Sequence, residues 1–135
     1  MIPAEELAAI GSVKDAPTVL GHKFAMQTLD SDAEVMAHAA ATPFADKAKE
    51  HVLKIEKLAR AISTIDGVPF SVTEEEKSQN LTELGKARKL IYKWHPPVIN
   101  RVYEELVKLE AKRDQAVAAL EKNAPTPTTS TGAGK

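Results

Sequence analysis

Apolar residues recur at steps of three and four along three stretches of this chain, and the breaks between them are marked by proline and glycine. Phe44, Ala48, Val52, Ile55, Leu58, Ile62 and Ile65 form the most regular stripe, predicting a long amphipathic helix. Thr42-Pro43 supplies its N-cap and first-turn proline, and Asp66-Gly67 ends it. Val68-Pro69-Phe70 then reads as an extended connector, since Pro69 has no N–H for a ladder. Thr73 and Glu76 have the spacing of a capping box, and Glu74, Glu75 and Glu76 complement the positive end of the helix dipole. The stripe that follows, Leu81, Leu84, Ala87, Ile91 and Trp94, carries Gly85 in its middle, at a cost of about 1 kcal/mol relative to alanine.

The third stripe is Ile99, Val102, Leu106, Leu109, Arg113, Ala116 and Leu120, the spacing of a coiled-coil seam. Arg113 interrupts it, and an ordinary long helix packed on its neighbours satisfies the same spacing. Between the second and third stripes lies Lys93-Trp94-His95-Pro96-Pro97, with the only tryptophan of the chain. Pro96 disfavours helical backbone at His95, while Pro97 suits the first turn of a new helix, so one helix stops here and another starts.

Before Phe44 the pattern changes period. Thr18-Val19-Leu20 and Lys23 to Leu29 resemble two short strands around a Gly21-His22 turn, with Phe24, Met26 and Thr28 on one face. Ser31 with Glu34 gives a second capping-box spacing, opening a short alanine-rich helix through Ala41. Residues 1–17 hold one or two helical turns and a loop bracketed by Gly11 and Pro17, and are expected to be loosely ordered. Residues 123–135 are Pro, Thr, Ser and Gly with almost nothing to bury, and are expected to be disordered. The expected fold is mainly α within the α+β class. A short N-terminal β-hairpin precedes a bundle of about four helices, in one domain over 18–122.

Composition narrows the function classes. With 135 residues and 43% apolar content the chain can bury one core, and with only 4% aromatics that core relies on aliphatic side chains and alanine. The net charge of −1 is spread along the chain, which argues against a nucleic-acid footprint. Lys86, Arg88, Lys89 and Lys93 form one local basic stretch, which the C-terminal end of a helix explains as readily as an RNA or acidic partner. The acidic N-terminus and the lack of any run of about 20 apolar residues point to a soluble intracellular protein. Without cysteine there is no thiolate nucleophile, disulfide framework or Cys-based zinc site. His22, His38, His51 and His95 are scattered without metal-ligand spacing. No Gly-rich phosphate loop or Gly-x-Ser-x-Gly elbow occurs, and the carboxylate pairs Glu5-Glu6 and Glu104-Glu105 do not converge. Neither an enzyme nor a cofactor or metal is expected.

The order of elements is distinctive: Gly21-His22-Lys23-Phe24 in a hairpin, helices, the Ile65-Asp66-Gly67-Val68-Pro69-Phe70 connector, then Trp94-His95-Pro96-Pro97 leading into Tyr103-Glu104-Glu105-Leu106. Over about residues 18 to 122 this resembles the small tail-assembly chaperones and baseplate-hub-assembly proteins of tailed bacteriophages. The resemblance implies a non-enzymatic protein of the bacterial host cytoplasm that keeps a tape-measure or hub protein with long helices soluble during virion morphogenesis. No catalytic residue carries over. A partner helix would lie in an apolar groove between the helix ending at Trp94 and the one starting at Pro97, contacting Leu84, Ile91, Trp94, Ile99, Val102, Leu106 and Leu109. The alternatives are a structural tail or baseplate subunit retained in the virion, with the third stripe as its homo-oligomer seam, and a helical regulatory or nucleic-acid-binding module.

Overall fold

A computed structural model describes residues 3–123, so the tail expected to be disordered falls, from residue 124 on, outside the described residues. In chain order the elements are α1 (Pro3–Ala9), β1 (Lys14–Asp15), β2 (Thr18–Val19), β3 (His22–Gln27), α2 (Ser31–Ala41), α3 (Asp46–Ala61), β4 (Ile62–Ile65), β5 (Val68–Pro69), α4 (Glu74–Ser78), α5 (Glu83–Ile91) and α6 (Pro96–Asn123). The α+β class holds. The sheet is larger than one hairpin, and two of the helices are short.

Strand β3 is the centre of the sheet. On one edge β2 pairs with its start and β1 with its end, with Val19 opposite His22 and Asp15 opposite Met26. The gap between them is bridged by Phe24 N–H donating to the Pro17 carbonyl at 2.9 Å. Strand β4 pairs with β3 through Phe24–Ile65 and Met26–Ile62, with a bulge at Ala25/Met26, and β5 completes the order β1-β3-β4-β5. Both hairpin turns carry positive φ at their two central residues, Leu20-Gly21 and Asp66-Gly67, as type I′ turns require. The first turn therefore sits one residue earlier than the Gly21-His22 turn expected, and His22 is freed to pair. Because Lys14 and Asp15 belong to the sheet, the ordered body begins before Thr18.

Several boundaries move for identifiable reasons. Asp30, not Ser31, caps α2, its carboxylate accepting from Ala33 N–H at 2.9 Å. Thr42 closes α2 by donating its hydroxyl to the His38 carbonyl, so it cannot open the next helix. That helix starts at Asp46 and leaves Phe44 exposed. Ile62 and Ile65 leave the helical stripe altogether to form β4, and the expected connector at Val68-Pro69 is an edge strand. The Thr73–Glu76 capping box is present, but Asn80 in the left-handed region breaks the helix after Ser78, and Thr82 caps a new one through Gly85 N–H at 3.0 Å. Gly85 is explained by crowding, since a Cβ there would meet Leu81 Cδ1 at 3.1 Å and Thr82 Oγ1 at 3.2 Å. Helix α5 ends at Ile91, and Trp94 stands beyond it, edge-on to Phe24 with ring centroids 6.1 Å apart. Both prolines lie in the first turn of α6.

Helix α3 is the hub of the packing, with α2, α5 and α6 all against it. Ile55 and Leu58 of α3, Ile91 of α5 and Ile99, Val102 and Leu106 of α6 are fully buried, and Phe24 and Met26 cover them from the sheet. No helix among the described residues is long and apolar enough to cross a membrane.

Candidate functional site

The seven residues expected to line a partner groove are in contact with the rest of the molecule instead. Ile91, Ile99, Val102 and Leu106 are wholly buried and Leu109 nearly so, while Leu84 and Trp94 are half-buried against the same core. The expectation of an open groove between α5 and α6 is corrected for a simple reason. The two apolar faces do converge, but α3 lies against both and fills the wedge with Ile55, Leu58 and Ala59.

Two adjacent residues of α3 fasten this arrangement with opposite charges. The Glu56 carboxylate, 2% exposed, accepts from Arg88 Nε at 2.6 Å and Arg88 Nη2 at 2.9 Å, and from Arg60 Nη1 at 2.7 Å. Burial pushes its pKa up, but the hydrogen bonds and charges of Arg88 and Arg60 outweigh this and hold it below the ordinary glutamate value. On the neighbouring side, Lys57 Nζ lies 2.7 Å from Glu110 and 3.2 Å from Glu34, and 5.8 Å from the centre of the Tyr103 ring. Burial lowers the Lys57 pKa, yet Glu110, Tyr103 and Glu34 together raise it above the ordinary lysine value. Glu56 thus ties α3 to α5, and Lys57 ties α3 to α2 and α6.

This pairing also changes the meaning of the basic stretch. Arg88 is committed to Glu56, and Lys86 donates to the capping-box carboxylate of Glu76 at 2.9 Å, leaving Lys89 and Lys93 exposed. Among the described residues no three His, Asp or Glu side chains gather as metal ligands. His22 bonds Asp66 at 2.5 Å across the two hairpin turns, and Asp66 also accepts from Lys23 N–H. That exposed clasp, together with hydrogen bonding to Lys23, holds the Asp66 carboxyl below its ordinary value.

A surface suited to binding lies at the opposite end of α6 from the corner. The helix has 28 residues, a span of about 42 Å, and its core-facing stripe is no longer fully buried after Leu109. Arg113, Val117 and Leu120 continue the stripe at the same three- and four-residue steps, with Val117 43% and Leu120 55% exposed. Beside them runs a groove of about 690 Å³ between α1, the start of α2 and α6, lined on its apolar side by Leu7, Ile10, Val35 and Val117. Gly11, with φ of +88°, lets the chain pass against α6, where a Cβ would stand 3.3 Å from Arg113 Cγ and 3.6 Å from Val117 Cγ2. Arg113 is half-buried at the groove's edge, and its partner is the carboxylate of its neighbour Asp114, itself 71% exposed.

No protein-family model, curated protein or solved structure matches this chain. The groove residues Leu7, Ile10 and Val35 were not marked by sequence reasoning. The signal available was a seam three to four turns longer than one small domain could cover.

Proposed function

We propose that this chain is a non-enzymatic assembly chaperone of a phage tail, which holds a helical segment of a tape-measure or hub component in the groove between α1, α2 and the free half of α6. The observation that carries the reading is the partly exposed continuation of the α6 stripe through Val117 and Leu120, with Val117 lining one groove together with exposed Leu7, Ile10 and Val35. An amphipathic helix laid in such a groove buries its apolar face by the same spacing that α6 presents. The class of partner is supported by the resemblance in element order, and the groove offers a mechanism for it: a rigid body with one open apolar edge.

The test is co-expression with the long helical tail component. Val117→Asp and Leu120→Asp are expected to abolish co-purification and to leave the component insoluble, while circular dichroism of the variants stays that of the parent. Full solubility of the component with both variants would sink the reading. The same exposed stripe also suits a subunit seam inside the particle. Finished virions decide this, since a chaperone is depleted there and a structural subunit is present at fixed ratio.

A further inference from the structure

The free half of α6 carries a charge pattern that is complementary to itself. Arg113 lies four residues before Val117 and Glu121 four residues after it, with Val117 and Glu121 exposed and Arg113 partly covered by Gly11. When two α6 ends run antiparallel and cross at Val117, each Arg113 stands level with the partner's Glu121, and the two Val117 side chains meet on the axis. A parallel pair would set Arg113 against the partner's Arg113, two like charges in the middle of an apolar seam. The lysines on this half, Lys112 and Lys122, fall on the far side of the helix from Val117 at 100° per residue and do not oppose the contact.

We propose that a second copy of this chain covers the groove, through antiparallel pairing of the α6 ends centred on Val117. The length of the free half fits this occupant. The overlap runs from about residue 111 to the helix end at Asn123 and stops short of buried Leu109, while Lys112, which meets Asp15 of the body, lies on the far side of the helix from Val117. The partner's Leu120 comes level with Asp114, next in the chain to Arg113, which lines the groove together with Val117, Leu7, Ile10 and Val35. Arg113 gains a carboxylate in a setting drier than its present contact with Asp114. A crossing of this size belongs with small, readily exchanging interfaces. The protein would therefore mask its own apolar edge until a client helix displaces the second copy. The inference rests on the groove of the proposed function and not on the identity of its client.

The absence of cysteine makes the test direct. Val117→Cys in the full chain is expected to form a disulfide-linked dimer under mild oxidation, because residues on the two-fold axis bring their Cβ atoms within bridging distance. Lys47→Cys, exposed at the far end of α3, is the control and should stay monomeric. Adding Arg113→Glu to Val117→Cys should slow cross-linking about tenfold or more, and adding Glu121→Arg as well should restore it. Sedimentation of the unaltered chain should show mass rising from one chain to two with concentration. Cross-linking no faster than in the control, indifference to the charge swap, or a monomer at every concentration would overturn the proposal. A monomer that still captures the co-expressed tail component would assign the groove to that client alone. A dimer that captures nothing would leave this inference standing while the chaperone reading fell.

Discussion

The two halves of α6 carry one stripe and meet opposite fates. From Pro96 to Leu109 the stripe is the core: Ile99, Val102 and Leu106 have no exposed surface, with α3 and the sheet packed on them. From Glu110 to Asn123 the same spacing continues with Arg113, Val117 and Leu120, and the cover thins to Lys57 on Glu110, Asp15 on Lys112 and Gly11 beside Arg113 and Val117. Apolar periodicity thus reports that a face will be covered, without reporting by what. In the first half the cover is intramolecular. In the second half the helix continues along a surface that its own fold leaves only partly covered, flanked by Leu7, Ile10 and Val35.

The sharpest way to break this comparison is to put the same charge into each half. Leu106→Asp places a carboxylate in a fully buried site, and the lost packing with the unpaired charge is expected to cost about 4 kcal/mol or more, enough to unfold a marginal domain. Val117→Asp should change unfolding free energy by no more than about 0.5 kcal/mol, because its side chain is already exposed. Urea denaturation of the two variants measures both. Equal losses would mean that the second half is as much a part of the body as the first.

Charged residues repeat the contrast on a smaller scale. Glu56→Ala strips the partner from Arg60 and Arg88 in a buried setting and is expected to cost about 3 kcal/mol, whereas Glu121→Ala on the free half should be within about 0.5 kcal/mol in the monomer. The pH profile adds a sign. Glu56 is held below its unfolded value, so its contribution is complete above about pH 4.3 and disappears as pH falls through the lower folded value. Lys57 is raised, so its contribution is complete below about pH 10.4 and disappears as pH climbs through the higher folded value. Melting temperature should therefore be flat between those limits and fall at both ends. Glu56→Gln should blunt the acid limb without abolishing it, since Asp66, Glu76 and Glu105 are also held low by their hydrogen bonds.

Elements decided by local chemistry were legible in the chain. The Thr73–Glu76 box, the Pro-Pro corner and the buried faces of α3, α5 and α6 follow from spacing and capping alone. Ile62 and Ile65 misled because a step of three satisfies a helix, while their β-branched run Ile-Ser-Thr-Ile before Asp-Gly is equally a hairpin signal; pairing with β3 settles it. The candidate site was misplaced because two convergent faces say nothing about a third helix between them. Glu56 and Lys57, adjacent and oppositely charged, look like solvent positions until partners 32 and 53 residues away arrive. The open groove was illegible for a related reason, since Leu7 and Ile10 lie in a segment with no periodicity of its own.

That segment provides the finest test of where the body ends. Helix α1 buries none of its residues, and its approach to α6 depends on Gly11, whose φ of +88° belongs to the left-handed region and whose missing Cβ leaves room for Arg113 and Val117. Gly11→Ala strains the backbone by about 1 kcal/mol and forces Arg113 Cγ, 3.3 Å from the new atom, to give way. Two readings of α1 then separate. If α1 is a wall of the groove and no part of the core, global unfolding should fall by less than this strain, because α1 can lift away while β1 stays paired to β3. Amide exchange should then quicken in residues 3–12 and at the exposed turns around Arg113, and remain unchanged in α3. If α1 instead braces the free half of α6, exchange would also quicken throughout 110–123, and the boundary between the covered and uncovered halves would belong to α1 as much as to the reach of α3.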